Sequence, residues 1–468
     1  MDLLVMKFGG TSMGSAGRIQ VAAQICREQN SLHPVVVVVS AMSKVTDLLL
    51  DTLRKAEAAD DHGLETNLQA LALRHRECAT ELFQPASHAQ ALAKVQMGMD
   101  NLIADFRRIA HGVRMLGERP PRSVDEAVAI GERLSAILIA QFLTCSGTPA
   151  QAVNGADVIV TDAVFGNAAP LLEETRKRSD RVLRPLIERG VLPVVTGFNG
   201  ATTDGRPTTL GRGGSDFSAS ILASVLDASE LWIWTDVNGI MSADPRSVRN
   251  ARVLDEVTYN EAAELAYNGA KVLHPRTLAP LIQRKIPVWS KNSFAPDVPG
   301  TKIVASTQCK PGPRAVTSMA NVALVSVEPA SSMVSGTRIM ARALEALAAA
   351  NAEVLAFSSS SYRQSFCFLV RKDELSTTMA TLEADLALEL THGYLKPIEV
   401  DQNVGLLAVV GEGMRGTPGL AGRIFSAISR QSVNIIAIAQ GSSEITISIV
   451  VGRDGLERAI QAVHEECT

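Results

Sequence analysis

The sequence predicts an α/β protein built in two parts, and three observations carry that reading. Runs such as Val35-Val36-Val37-Val38-Val39 are apolar on both faces, as strands of a parallel sheet covered by helices on either side must be. Through roughly the first 290 residues, such runs alternate with stretches of helical periodicity. Beyond them an order of strand, loop, helix, strand, strand and helix occurs twice.

In the first part, strands are expected at residues 3–8, 34–40, 150–154, 191–196, 231–236 and 286–291. Helices are expected at 16–29, 124–143 and 215–226, the second opened by a capping box of Ser123 and Glu126. A stretch rich in turn-formers (Pro296, Pro299, Gly300, Pro311, Gly312, Pro313) then reads as a linker. In the second part Met333 tracks Met414, Arg342 tracks Arg423, Ala356 tracks Ala437 and Ser361 tracks Ser442. The repeated order is the split βαβ, ferredoxin-like one. The expected organisation is a catalytic domain over 1–292, a linker over 293–315, a first repeat over 316–400 and a second over 401–468.

Composition narrows the function classes. The net charge of -4 offers no electrostatic case for nucleic acid or an anionic membrane surface as partner. Six scattered cysteines without a CxxC pair fit reduced thiols, not a disulfide framework or zinc site. No uninterrupted apolar run approaches the ~18 residues of a membrane span. With no basic leader before Lys7 either, a cytoplasmic protein is expected.

The chemistry-bearing residues begin at once. Lys7-Phe8-Gly9-Gly10-Thr11-Ser12 joins a strand to a helix. Glycines let backbone approach a phosphate, lysine adds a point charge, and the hydroxyls add donors. The lysine precedes the glycines, so this is not the P-loop pattern. Gly211-Arg212-Gly213-Gly214-Ser215-Asp216 is a second glycine-rich loop entering a helix, with an arginine suited to a carboxylate. Glu132 lies on the apolar stripe of Val124, Val128, Ile139 and Phe142. A buried carboxylate needs a partner, and either a structural arginine or a substrate ammonium would serve. Ser40 and Thr46 follow the all-valine strand, where each could also be a helix cap. Trp234-Thr235-Asp236-Val237-Asn238-Gly239 carries a strand into a polar loop, at the end where a nucleotide would sit. The stretch continues through Met241 to Asp244-Pro245-Arg246, and Ala270-Lys271 adds a further cation; His274 reads as a packed residue.

Taken in order along the chain, these motifs resemble the amino-acid kinase family and its aspartokinase branch, and the two repeats resemble that branch's ACT domains. The resemblance covers essentially the whole chain. It implies a carbamate-kinase-like αβα sandwich followed by two ferredoxin-like βαββαβ ACT domains. It also implies that the strand near 316–321 completes the second repeat, because relatives insert the first ACT domain into the second. The activity implied is ATP-dependent phosphorylation of the L-aspartate side chain to 4-phospho-L-aspartate. That is the first step towards lysine, threonine and methionine, under feedback control. Carried over by motif, Lys7 and Asp216 form a catalytic pair at the phosphates. Ser40, Thr46, Glu132, Arg212, Gly213, Gly214 and Ser215 hold aspartate. Lys7, Gly9, Gly10, Thr11, Ser12, Thr235, Asp236, Met241, Arg246 and Lys271 line the ATP site. Relatives often carry an aromatic residue where Met241 stands. Mg²⁺ would arrive on the ATP phosphates with no direct protein ligand.

The nucleophile implied is a carboxylate already ionised at neutral pH, so no general base is required, and no histidine falls inside these motifs. An acylated-glutamate kinase of the same fold is the nearest rival, but its substrate has no ammonium to meet Glu132. A non-catalytic amino-acid sensor is the other, opposed by the presence of Lys7, Arg212 and Asp216. No dinucleotide-binding fingerprint follows the second repeat before Thr468, so a kinase without a fused dehydrogenase is expected. Met333, Ser335, Gly336, Thr337, Ser359, Asn434 and Gln440 are the effector-site candidates. Threonine-responsive relatives carry a glutamine where Ser359 stands, which leaves lysine, both or neither open as effector. A homodimer, or a dimer of dimers, through the ACT domains is expected.

Overall fold

The structure is a computed structural model that describes residues 2–270, 272–308, 312–330, 335–361 and 364–467. It divides into two compact units. The first comprises Met1–Ile240, Asp255–Tyr259 and Leu273–Ser306; the second comprises Met241–Leu254, Asn260–Val272 and Thr307–Thr468.

An eight-stranded sheet forms the heart of the first unit. From edge to edge it runs Ala150–Val153, Leu192–Thr196, Val35–Val39, Leu4–Phe8, Glu230–Thr235, Val288–Asn292, Thr301–Val304 and Glu256–Thr258. The six expected strands are all present, with ends displaced by one or two residues. The Leu4–Phe8 strand pairs in parallel with Val35–Val39 on one side and Glu230–Thr235 on the other. Val35–Val39 in turn pairs in parallel with Leu192–Thr196. Four carboxyl ends therefore leave the sheet at one edge, where ligands bind in open α/β sheets.

Helix Pro121–Cys145 packs in the core of this unit. By length and composition alone it could cross a membrane, yet most of its apolar window is buried within the protein. It begins at Pro121, not at the capping box expected from Ser123 and Glu126, because a proline at the first turn presets the helical φ. The antiparallel pair Asp61–Phe83 and Pro85–Leu116, missing from the sequence reading, packs beside it.

The presumed linker over 293–315 is corrected. Residues Thr301–Val304 form a strand antiparallel to Val288–Asn292. Pro296, Pro299 and Gly300 lie in the hairpin turn between them. Gly300 has φ +87°, and a Cβ there would stand 2.2 Å from the Ser290 carbonyl oxygen, so only glycine fits.

In the second unit a six-stranded antiparallel sheet runs Ala356–Ser359, Phe366–Arg371, Ala315–Val327, Glu399–Val410, Thr446–Gly452 and Ile435–Gln440. The two long central strands are shared between the repeats. Residues 315–319 pair with 406–410, whereas 324–326 pair with 399–401 across a bulge. Helices Gly336–Ala349 and Leu420–Arg430 follow the first strand of each repeat. Two segments of the stretch over 1–292, Met241–Leu254 and Asn260–Val272, group with this second unit. Ser242 Oγ lies 2.9 Å from His464 Nε2, the Val316 amide donates to the Ser242 carbonyl, and Arg314 pairs with the buried Glu261.

Candidate active site

The site grows from the loops at the shared carboxyl edge of the first sheet. Lys7 alternates with the apolar Met6 and Phe8, so it projects from the opposite face of its strand. Its Nζ lies 2.5 Å from Asp216 Oδ1 in the first turn of helix Gly214–Val225. Both side chains are largely sheltered, which strengthens the pair relative to one in open water.

The turn after Lys7 is held by backbone. The Gly9 amide donates to the Trp234 carbonyl, and the Ser43 amide donates to the Gly10 carbonyl. A Cβ at Gly10 would stand 3.1 Å from the Ala41 carbonyl oxygen, so the close approach of the two loops depends on glycine. Thr11 is half-buried. Ser12 is buried, and its hydroxyl lies 2.7 Å from that of Ser293. This contact ties two loops together.

Glu132 sits midway along Pro121–Cys145 and is 3% exposed. One carboxylate oxygen, Oε2, has no hydrogen-bond partner among the described residues. Burial pushes the carboxyl up to about 8, opposed by a backbone hydrogen bond from Ala41 and by the Lys7 charge. Among the described residues no arginine satisfies this oxygen. Beside it, a Cβ at Gly131 would stand 2.9 Å from that of Ala41, which is how helix and loop come so close. Ser40 and Thr46 lie half-buried on that same loop and on helix Val45–Glu57. Neither caps the helix: its cap position is Lys44, in the left-handed region and without a side-chain cap bond.

Arg212 and Gly213 are exposed, while Gly214 is buried. Gly211 and Gly213 have φ +75° and +69°, a left-handed backbone that favours glycine at both turns of the loop. Sequence reading missed Phe198, whose ring would collide with a Cβ on Gly214 and whose own φ is +68°. A bulky residue in that region is a strained feature of the kind found at ligand sites.

Thr235 and Asp236 end the Glu230–Thr235 strand, and the Thr235 carbonyl accepts from the Ser293 amide. Met241 and Arg246 belong to the second unit, where Arg246 forks onto Asp244 with a contact of 2.6 Å. Lys271 and Met333 lie outside the described residues. In the first repeat Ser335 is the cap position of Gly336–Ala349, but the amide and hydroxyl of Thr337 both donate to Gln364 Oε1. In the second, the Gly416 amide donates to Glu444. Of the effector-site candidates, Thr337 is thus already engaged within its own repeat. Ser359 and Gln440 end the strands Ala356–Ser359 and Ile435–Gln440, and Asn434 immediately precedes the latter.

Residues 2–292 match the amino acid kinase family, and residues 407–467 match the ACT domain. The chain belongs to the amino acid kinase family. Within that family its relatives are aspartokinases. It is 35% identical over 98% of its length to the bifunctional aspartokinase/homoserine dehydrogenase 1 of Arabidopsis thaliana, of which it covers 50%. The chain thus spans about half the length of such fused relatives. It is 30% identical to the aspartokinase of Candida albicans, covering 98% of this chain and 89% of that one. Among solved structures it is similar to aspartokinase III of E. coli in complex with aspartate and ADP (R-state), with TM-score 0.82 at 29% identity over 99% of both chains. The complex of the same protein with lysine and aspartate (T-state) aligns with TM-score 0.80, again over 99% of both chains. This amino acid kinase therefore carries the family's α/β kinase fold with a C-terminal ACT region.

Proposed function

We propose that this amino acid kinase phosphorylates the side-chain carboxylate of L-aspartate with ATP, under feedback control by a small amino acid. One observation carries the proposal: the buried Glu132, with an oxygen lacking a partner, stands within electrostatic reach of the Lys7–Asp216 pair. A substrate offering an ammonium to the first and phosphates to the second satisfies both. Arg212, exposed on a glycine loop, suits the α-carboxylate.

The acceptor carboxylate arrives ionised, so the protein's work is positioning and charge neutralisation. Lys7 offsets charge on the transferred phosphoryl group, and Asp216 holds the Lys7 ammonium in place. The Gly9–Gly10 turn lets backbone approach the phosphates. Mg²⁺ bound to the ATP phosphates supplies further neutralisation, without requiring a ligand from the chain.

Coupled ADP release with L-aspartate, L-glutamate and an N-acylated glutamate tests the substrate. Activity with aspartate alone is expected, and preference for the acylated substrate would overturn the reading. ACT-mediated control is proposed to act through a homodimer and to respond to lysine or threonine. Titrating turnover against each, singly and together, with sedimentation at micromolar protein, checks this. A monomer insensitive to both would refute the regulatory half alone.

A further inference from the structure

We infer that Asp125, which the reading of the motifs leaves without a role, is the positioning residue that fixes aspartate affinity. It does so by tying the helix that carries Glu132 to the loop that carries Arg212. The inference rests on the aspartate-kinase reading above. Asp125 sits in the first turns of Pro121–Cys145 and is 2% exposed. Both of its oxygens are used. Oδ2 accepts from the Gly166 amide at 2.8 Å and the Thr209 amide at 2.9 Å, and Oδ1 accepts from the Thr209 hydroxyl at 2.7 Å. Bonds to an ionised acceptor are about twice as strong as neutral ones.

The placement gives these bonds a consequence for the site. Asp125 and Glu132 are seven residues apart on one helix, so they share a face about 10 Å apart. Thr209 ends the strand Pro207–Thr209, three residues before Arg212. Asp125 therefore joins the group proposed to meet the ammonium to the loop proposed to meet the α-carboxylate. The loop is gripped from its other side too. Arg276 donates to the Leu210 carbonyl at 3.0 Å and the Ala168 carbonyl at 2.7 Å, and the Ala168 amide donates to the Thr209 carbonyl. Arg276 leaves the carboxylate bonds to Asp125 untouched. Losing Asp125 would free the strand end relative to the helix while the Lys7–Asp216 pair keeps its own contacts.

The test compares Asp125→Asn, Thr209→Val and Thr209→Ser in the full chain by coupled ADP release. Asp125→Asn removes the charge and, with its oxygen kept on the two backbone amides, leaves the Thr209 hydroxyl an amide N–H in place of a carboxylate oxygen; it is expected to raise the aspartate KM about tenfold or more while the ATP KM stays within about twofold. Thr209→Val should raise the aspartate KM by a smaller factor, and Thr209→Ser, which keeps the hydroxyl, should restore it. On an Arg212→Ala background Asp125→Asn should add little, because both act through the same loop. A folded Asp125→Asn with an unchanged aspartate KM would overturn the inference, as would aspartate and ATP KM values that rise together. Should Asp125→Asn not fold, the Thr209 pair decides: equal KM values for the Val and Ser variants would reject it. A wild-type protein without aspartate-dependent ADP release would instead defeat the underlying reading, before any variant is compared.

Discussion

The two ends of the site solve the problem of sheltered charge in opposite ways. At the proposed phosphate end Lys7 and Asp216 are paired at 2.5 Å. At the proposed amine end Glu132 is buried more deeply, keeps one oxygen without a partner among the described residues, and is pushed up to about 8 by desolvation. A paired charge is already arranged for a transition state and needs no reorganisation when it acts. A buried carboxyl without a cationic partner costs the ligand-free protein, and a ligand that supplies the cation recovers that cost on binding. The first arrangement favours rate; the second favours selection of the substrate.

The contrast breaks first at Lys7. Lys7→Ala should lower kcat by ~10²–10³, with the fold intact by circular dichroism. More than half of wild-type turnover from the folded variant would remove Lys7 from the chemistry. Next, Glu132→Ala and Arg212→Ala should each lower kcat/KM for aspartate by about one to two decades, with ATP little affected. A raised ATP KM with an unchanged aspartate response would place both residues at the wrong end.

A smaller effect concerns pH. Below about 8 Glu132 is mostly protonated in the free protein, and only its ionised form pairs with an ammonium. Aspartate binding should therefore release a proton, and the aspartate KM should fall as pH rises from about 6 to 8, by up to about tenfold per unit. The folded value is raised above the ordinary 4.5, so this group's contribution to ligand-free stability is complete below 4.5 and is lost as pH rises through about 8. Thermal shifts produced by aspartate should grow over the same range, and Glu132→Gln should flatten both curves. A flat wild-type profile would show that Glu132 does not meet the ammonium.

The smallest effect separates a site hydroxyl from a structural one. Ser12→Ala should leave the ATP KM unchanged and cost about 1 kcal/mol in urea unfolding, because it removes one buried hydroxyl contact. A severalfold rise in ATP KM would return Ser12 to the phosphates.

Much of this was legible in the chain. Lys7 beside Gly9-Gly10, Arg212 among glycines and Glu132 on an apolar stripe are local patterns, and each states its own physical need within a few residues. The all-valine strand and the repeated second part likewise declare their layers by periodicity. Asp125 and Thr209 were silent, because their bond joins residues 84 positions apart and neither lies in a motif. The hydroxyl that meets Ser12 lies 281 residues away and was equally silent. Turn-forming residues announced a break in the first sheet's pattern but not its kind: Pro296, Pro299 and Gly300 serve a hairpin as well as a linker. The sequence by itself therefore determined the elements, the charges and the conformational freedoms, since these depend on neighbours along the chain. Only the tertiary structure decided which charge is paired, which is left waiting and which hydroxyl is taken, because a polar group's state depends on what folding brings against it.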